Sequence, residues 1–244
     1  MVSIMELLAV KIVVDLLLFD LDGTLVNSSA IVERSWANQV KLHNEAYPED
    51  QIDLNQLLLA SHGSRSVETF KKFFPYKSHE PEVISEWEKS NVSRYYDLGV
   101  EITGASQVIE QLQAVASKWA IVTSGTRDLA HGWFNKLFSK FSKPSVFITA
   151  DDISRGKPNP DGYLAAFKQL SELNEMVSPD AIVFEDAPVG IQSGLNAGFK
   201  VIGIASTFDK DVLVKAGASY VIQDLTNVDI QYQDGRIVVN LTVL

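Results

Sequence analysis

The stretch Leu16–Ser28, which reads LLLFDLDGTLVNS, most constrains how this chain can fold. An apolar run ends at Asp20, a second carboxylate follows at Asp22, and Gly23 allows the chain to turn. Short apolar runs bounded by turn residues are typical of buried strands. The two carboxylates are therefore predicted to lie close together at the carboxyl end of such a strand, where open α/β sheets bind their ligands.

Two carboxylates this close repel each other, so their charge must be offset by a shared proton, a basic residue or a cation. Aspartate and carbonyl oxygens at an octahedral site suit Mg²⁺. A strand that simply ends in an Asp-Gly turn also explains the DxDG pattern, because short motifs often occur by chance. The rest of the chain has to decide between these two explanations.

The composition is that of a globular protein and sets limits on its chemistry. The 244 residues, 46% of them hydrophobic, suffice for one large α/β domain or a domain with an insert. The absence of cysteine excludes a disulfide framework, a thiol nucleophile and a cysteine-ligated metal. Residues 1–20 are apolar but interrupted by Glu6, Lys11 and Asp15, so we interpret them as an irregular lead-in to the first strand.

Charge limits the possible partners. The formal net charge of −10 argues against nucleic acid and anionic membranes, and we expect a cytoplasmic monomer that binds a small molecule. An anionic substrate would need a locally positive site, made by a metal, a lysine or backbone N–H groups.

The spacing of apolar residues divides the chain into two kinds of segment. Residues 29–99 have helical spacing without a strand pattern, which predicts an all-helical module. After Gly99, strands and helices alternate, which predicts an α/β fold with a doubly wound parallel sheet. We therefore predict a core domain of residues 1–28 and 100–244, with the module 29–99, hereafter the insert, placed after the first strand.

The predicted strands of the core after the insert are Trp119–Val122, Val146–Thr149, Ala181–Phe184 and Val201–Ile204. Near the end of the chain, Asp234 and Gly235 stand between alternating apolar residues. This pattern predicts a terminal hairpin.

Polar residues follow three of these strands, as they follow the first one. Ser124 comes after the Trp119 strand, Lys157 lies in a Gly-Lys-Pro turn after the Val146 strand, and Glu185 and Asp186 end the Ala181 strand. Taken singly, these are a helix N-cap, a surface lysine and an acidic helix start. Because parallel strands end at one edge of a sheet, we expect these side chains to meet there.

The combination suits phosphoryl transfer, which depends on positioning and on neutralisation of charge. Four carboxylates, those of Asp20, Asp22, Glu185 and Asp186, would hold one Mg²⁺. The metal, Lys157, Ser124 and backbone N–H groups would then neutralise the phosphoryl oxygens.

The segment Asp20–Val26, together with the later motifs, resembles the haloacid dehalogenase (HAD) superfamily in its branch of small phosphatases. The resemblance implies a Rossmann-like core with a helical cap domain, Mg²⁺ as cofactor and a phosphoaspartyl intermediate. It makes Asp20 the nucleophile and Asp22 the general acid and then the base. Ser124 and Lys157 would hold the transferred group.

The resemblance also implies a metal site and substrate contacts. The metal ligands would be Asp20, the backbone carbonyl of Asp22, Glu185 and Asp186. Substrate-binding residues would be Thr24, which would orient Asp22 or its loop, Gly125, and in the insert His62 and Arg65. The segment SHGSR that carries the last two is equally well explained as a connection between helices with Gly63 as its C-cap.

Asp22 favours a phosphate ester, because a halide leaving group would need no proton. The segments SHGSR, WAIVTSG and FEDAP resemble phosphatases of the 2-deoxyglucose-6-phosphate and glycerol-3-phosphate types. This likeness implies hydrolysis of a small sugar or polyol phosphate monoester. Two alternatives remain: a phosphosugar mutase of the β-phosphoglucomutase type, which would release no free phosphate, and a non-catalytic regulator that binds phosphosugars.

Overall fold

The computed structural model describes residues 8–115 and 117–244. Its strands are β1 (Leu8–Val14), β2 (Leu16–Phe19), β3 (Val26–Asn27), β4 (Val100–Glu101), β5 (Trp119–Val122), β6 (Val146–Ile148), β7 (Ala181–Glu185), β8 (Lys200–Ile204), β9 (Tyr220–Ile222), β10 (Val228–Gln233) and β11 (Arg236–Val243). Its helices are α1 (Ser29–Ala46), α2 (Leu54–Ser61), α3 (Ser66–Phe73), α4 (Pro81–Arg94), α5 (Ala105–Gln113), α6 (Arg127–Leu137), α7 (Asp161–Leu173), α8 (Pro188–Asn196) and α9 (Lys210–Lys215). Within the described ranges, no helix has the length and apolar character needed to cross a lipid bilayer.

A six-stranded sheet organises the molecule, with strand order β6-β5-β2-β7-β8-β9. All its neighbouring strands pair in parallel, which confirms the predicted α/β fold. Strand β2 lies between β5 and β7. The chain forms β5 and β6 on one side of β2 and then crosses to form β7, β8 and β9 on the other side. The carboxyl ends of these three strands are adjacent there, as at the ligand sites of other doubly wound sheets.

Both faces of β2 are buried, which explains its uninterrupted apolar sequence. Leu17 and Phe19 belong to one hydrophobic core, whereas Leu16 and Leu18 belong to the core on the opposite face. All four side chains are fully buried. A parallel strand covered on both sides has no need of alternating polar residues.

The interpretation of residues 1–20 as a lead-in to one strand is wrong for residues 8–14, which form β1. This strand pairs antiparallel with β11, and β11 pairs with β10 in a separate three-stranded sheet. Only Asp15 separates β1 from β2, so in the sequence the two strands look like a single apolar run with interruptions. Residues 1–7, with Glu6 among them, lie outside the described residues. The hairpin predicted at Asp234 and Gly235 is confirmed as β10–β11.

The insert contains α1 to α4 and has its own hydrophobic cluster. The buried members of this cluster are Trp36, Val40, Leu57, Phe70, Phe74 and Ile84. At the two places where the chain passes between core and insert, β3 and β4 pair antiparallel over two residues. The structure thus places four helices between the two crossings, while 29–99 as a domain boundary stays a prediction.

Two glycines with similar φ angles test whether the chain packs closely against Thr226 where it re-enters the core before α5. Gly104 has a φ of 88°, and a Cβ added there would lie 2.5 Å from the backbone nitrogen of Thr226. Gly198 has a φ of 87°, but an added Cβ would meet no atom of the described residues within 4 Å. We expect Gly198→Ala to lower the free energy of unfolding by about 1–2 kcal/mol, through backbone strain alone. Gly104→Ala should lower it further, because the Thr226 backbone must also move.

Urea unfolding followed by circular dichroism measures both losses. Equal losses in the two variants would contradict the close approach of Gly104 to Thr226.

Candidate active site

Lys157 joins two of the carboxylates that the sequence places at strand ends. Its Nζ donates to Oδ1 of Asp20 at 2.5 Å and to Oε1 of Glu185 at 2.6 Å. Asp20 follows β2, Glu185 ends β7, and Lys157 lies between β6 and α7. All three residues are buried. The fold therefore brings together residues that are up to 165 positions apart in the chain, as the strand-end pattern predicts.

Asp20, Glu185 and Asp186 form a group that could hold a metal ion. Each offers a carboxylate oxygen, and these oxygens lie within 4.8 Å of one another. Oδ2 of Asp20 and Oδ1 of Asp186 are buried and have no hydrogen-bond partner among residues 8–115 and 117–244. Unpaired buried carboxylate oxygens are costly, and hard cations such as Mg²⁺ take oxygen ligands. The residues present therefore fit a divalent cation.

Both carboxylate oxygens of Glu185 already accept hydrogen bonds from the protein, unlike Oδ2 of Asp20 and Oδ1 of Asp186. Its Oε1 accepts from Lys157 and from the hydroxyl of Tyr163 at 2.8 Å. Its Oε2 accepts from the backbone N–H of Asp186 at 3.1 Å and of Ala187 at 3.3 Å. This arrangement favours a role for Glu185 in positioning Lys157 over direct ligation of a metal.

Asp22 occupies a different place from the group of three. Its carboxylate does not belong to the cluster of candidate ligand atoms within the described ranges, so the expectation that four carboxylates surround the ion is not met. The role of its backbone carbonyl as a ligand stays a prediction. Burial raises the pKa of Asp22, against the lowering effect of hydrogen bonds from Ser28 and Thr123. A raised pKa suits a general acid.

Gly23 lets Asp186 approach the Asp22 loop. Its φ is 90°, and a Cβ at this position would lie 1.9 Å from Oδ2 of Asp186. A side chain at position 23 would therefore collide with a predicted metal ligand. The glycine of the DxDG motif is explained by this contact as well as by the turn.

The charges of the cluster shift several pKa values. Burial raises the pKa of Asp20 to about 7, with Lys157 opposing the shift and Glu185 adding to it. Burial and the neighbouring Asp20 and Glu185 raise the pKa of Asp186 well above its ordinary value. Burial lowers the pKa of Lys157, but Asp20 and Glu185 outweigh it and the net shift is upward. The lysine therefore stays charged, while Asp20 and Asp186 bind protons more readily than ordinary aspartates unless another cation joins them.

A cavity of about 90 Å³ lies over the cluster, between core and insert. Six predicted site residues line it: Asp20, Asp22, His62, Ser124, Gly125 and Asp186. The hydroxyl of Ser124 donates to the backbone carbonyl of Gly63 in the insert at 2.7 Å. The Gly125 N–H donates to the hydroxyl of Thr123 at 3.0 Å.

The remaining predicted residues lie differently. The ring of His62 contacts that of Phe208, with centroids 5.8 Å apart, and burial lowers its pKa. Arg65 is not among the residues that line the cavity; its guanidinium donates to Glu68 and to the Ile153 carbonyl in the loop before Lys157. This placement favours a role for Arg65 in holding the insert on the core.

Thr24 is fully buried and outside the cavity lining. Its hydroxyl has no hydrogen-bond partner within the described ranges. A contact of Thr24 with Asp22 or with substrate therefore has no support in this geometry.

Four residues of the site do not stand out in the sequence. Thr207 lines the cavity and hydrogen-bonds Asp186 from the chain after β8, and Ser28 lies beside Asp22. The position of Thr207 after a parallel strand was a usable signal. Tyr163 on α7 and Glu88 on α4 are single polar residues in amphipathic helices, and no local pattern distinguishes them from surface residues.

Comparison with known proteins agrees with the geometry. The sequence model of the haloacid dehalogenase-like hydrolases matches residues 17–204. The chain is 39% identical to 2-deoxyglucose-6-phosphate phosphatase 2 of Saccharomyces cerevisiae, over 89% of this chain and 90% of that protein. It is 36% identical to glycerol-1-phosphate phosphohydrolase 1 of the same yeast, over 85% and 81% of the two chains. A hydrolase structure from Pseudomonas syringae superposes with a TM-score of 0.71 at 25% identity, covering 86% of this chain and 94% of the other.

The shifted pKa of Asp20 predicts how the stability of the metal-free protein depends on pH. The folded carboxyl titrates at about 7 and the unfolded one near 3.8, so the folded state holds a proton that the unfolded state releases between these values. The free energy of unfolding should therefore fall as pH rises through this window, by up to about 1.4 kcal/mol per pH unit for one proton.

Urea unfolding in EDTA at several pH values between about 5 and 7 measures the slope. Asp20→Asn should make it shallower, because the amide does not titrate. A stability that rises with pH across this window would contradict the shift.

Proposed function

The chain belongs to the haloacid dehalogenase-like hydrolases, and on that premise we propose that it is a Mg²⁺-dependent phosphatase of small sugar or polyol phosphate monoesters. The observation that carries the proposal is the cluster at the end of β2. There Lys157 donates a hydrogen bond to Asp20, while one oxygen each of Asp20 and Asp186 is buried with no hydrogen-bond partner in the described part of the chain. Such a site is anionic alone and binds phosphate once a cation is added.

Asp20 and Asp186 would hold the ion, with the backbone carbonyl of Asp22 as a further ligand. When bound, Mg²⁺ would neutralise charge on the phosphoryl oxygens. Lys157 keeps Asp20 oriented and supplies a fixed positive charge beside it. Ser124 and the N–H groups of its loop would bind the remaining phosphoryl oxygens, since both Ser124 and Gly125 line the cavity.

In the proposed reaction an Asp20 carboxylate oxygen attacks phosphorus, and the bond from phosphorus to the ester oxygen breaks. Asp22 gives its proton to that oxygen, so the alcohol leaves neutral. The Asp22 carboxylate then takes a proton from water, which attacks the aspartyl phosphate. Inorganic phosphate leaves and the carboxylate of Asp20 is restored.

The substrate class rests on the relatives. They are named as phosphatases of 2-deoxyglucose 6-phosphate and of glycerol 1-phosphate, both small polyhydroxy esters.

The activity is tested by phosphate release from glycerol phosphate, 2-deoxyglucose 6-phosphate and hexitol phosphates. We expect release that needs Mg²⁺ and stops with EDTA. Asp20→Asn should lower kcat by about 10³-fold or more, since removal of a nucleophile leaves only binding contributions.

The matched control is Asp234→Asn, in the exposed β10–β11 turn, where the φ of 51° is one that asparagine tolerates. It should behave as the native protein. Full activity of Asp20→Asn would exclude Asp20 as nucleophile, and conversion of a hexose 1-phosphate into its isomer without free phosphate would favour the mutase.

Metal binding can be tested apart from activity through Gly23. Because a Cβ at this position would collide with the Asp186 carboxylate, Gly23→Ala should weaken Mg²⁺ binding about 10-fold or more. Calorimetric titration with Mg²⁺ measures the change.

Gly235→Ala controls for backbone strain, because Gly235 has a similar φ of 83° and an added Cβ would lie more than 4 Å from every described residue outside the turn. Equal Mg²⁺ affinity in Gly23→Ala and Gly235→Ala would contradict a metal site that includes Asp186.

A further inference from the structure

A second, smaller cavity of about 60 Å³ adjoins the first, and we call it the recess. Asp22, Ser28 and Glu88 line both cavities. Asp20, Ser124 and Asp186 line the first but are not among the residues that line the recess. The recess therefore lies on the Asp22 side of the site, away from the groups that would hold the phosphoryl group.

Glu88 is a buried carboxylate that the proposed mechanism does not use. It lies on α4 of the insert and is 3% exposed. One of its oxygens accepts from the hydroxyl of Ser66, and the other accepts from the backbone N–H of Thr126 at 2.8 Å. Within the described ranges its hydrogen-bond partners are Ser66 and Thr126, and no lysine, arginine or histidine pairs with it. A buried carboxylate without a cation is costly, so its presence beside a cavity needs an explanation.

Ser35 supplies an independent observation. Its side chain is 4% exposed and lines the recess, yet its hydroxyl has no hydrogen-bond partner among residues 8–115 and 117–244. Most buried hydroxyls are hydrogen-bonded, so this one has unused capacity to donate and accept. Ser35 is on α1 and Glu88 on α4, so two helices of the insert direct polar groups to one small space.

The walls between these polar groups are aromatic. Trp36 from α1 and Trp133 from α6 both line the recess and are almost fully buried. Aromatic walls with a few placed polar groups are typical of small-molecule sites, in which the polar groups provide the specificity.

We propose that Glu88 and Ser35 bind hydroxyl groups of the leaving alcohol, and so select esters of polyhydroxy alcohols over esters of simple ones. The inference rests on the proposed function, in which Asp22 protonates the ester oxygen. A leaving group that receives its proton from Asp22 lies next to the recess, because Asp22 is in its wall. Glu88 accepts from a substrate hydroxyl, while Ser35 can donate or accept.

The test compares glycerol phosphate with propyl phosphate, which has the same carbon chain without the two hydroxyls. The native enzyme should have the higher kcat/KM with glycerol phosphate. In Glu88→Gln the ratio of the two kcat/KM values should fall about 10-fold or more, because a carboxyl oxygen that accepts from a substrate hydroxyl is replaced by an NH₂ group, which cannot accept.

Two further variants separate recognition from folding. Ser35→Ala removes a hydroxyl that has no partner within the described ranges, so it should lower the same ratio while leaving the thermal midpoint close to that of the native protein. Glu86→Gln changes an exposed carboxylate on the same helix and should leave the ratio at the native value.

The possible outcomes separate the role of the recess from the proposed function. An active enzyme whose ratio is unchanged by both Glu88→Gln and Ser35→Ala would overturn the role of the recess and leave the phosphatase proposal standing. A native protein that releases phosphate from none of the esters, with Mg²⁺ present, would overturn the proposed function and this inference with it.

Discussion

The repulsion among Asp20, Glu185 and Asp186 is the constraint on which the rest of the structure depends. Three buried carboxylates share one lysine, and Lys157 bonds to only two of them. Two glycines provide the space for this crowding. A Cβ at Gly23 would lie 1.9 Å from Asp186, and one at Gly190 would lie 1.8 Å from Glu185. The sheet, with β2 between β5 and β7, holds the acids together against their charge.

This cluster explains how a chain with a net charge of −10 can use an anionic substrate. The positive charge need not be spread over the surface, because it would be concentrated in buried Lys157 and in the cation that the acids could hold. The surface can then remain acidic without opposing the chemistry inside. Whether this protein can bind an anion is therefore decided by the charges at the site and not by the net charge of the chain.

The sequence predicted the parallel sheet and most of the residues at its ligand edge, because both follow from local patterns. A strand end marked by Asp20, Lys157 or Asp186 can be found from a few neighbouring residues. Glu88 and Tyr163 could not be found in this way, since their burial results from the packing of α4 and α7 against other parts of the chain. Arg65 was predicted to contact substrate, but its neighbours Glu68 and Ile153 engage its guanidinium instead. A contact between insert and core, such as that of Arg65 with Ile153, leaves no periodic pattern of residues in the sequence from which it could be predicted.

The hydrogen bond from Ser124 to the Gly63 carbonyl joins the insert to the edge of the sheet. A serine hydroxyl has a single proton to donate. If Ser124 binds a phosphoryl oxygen as proposed, its hydroxyl no longer donates to Gly63, so substrate binding would break this hydrogen bond between insert and core. Release of inorganic phosphate would let the hydroxyl donate to the carbonyl again. This contact would then be broken and restored in every turnover.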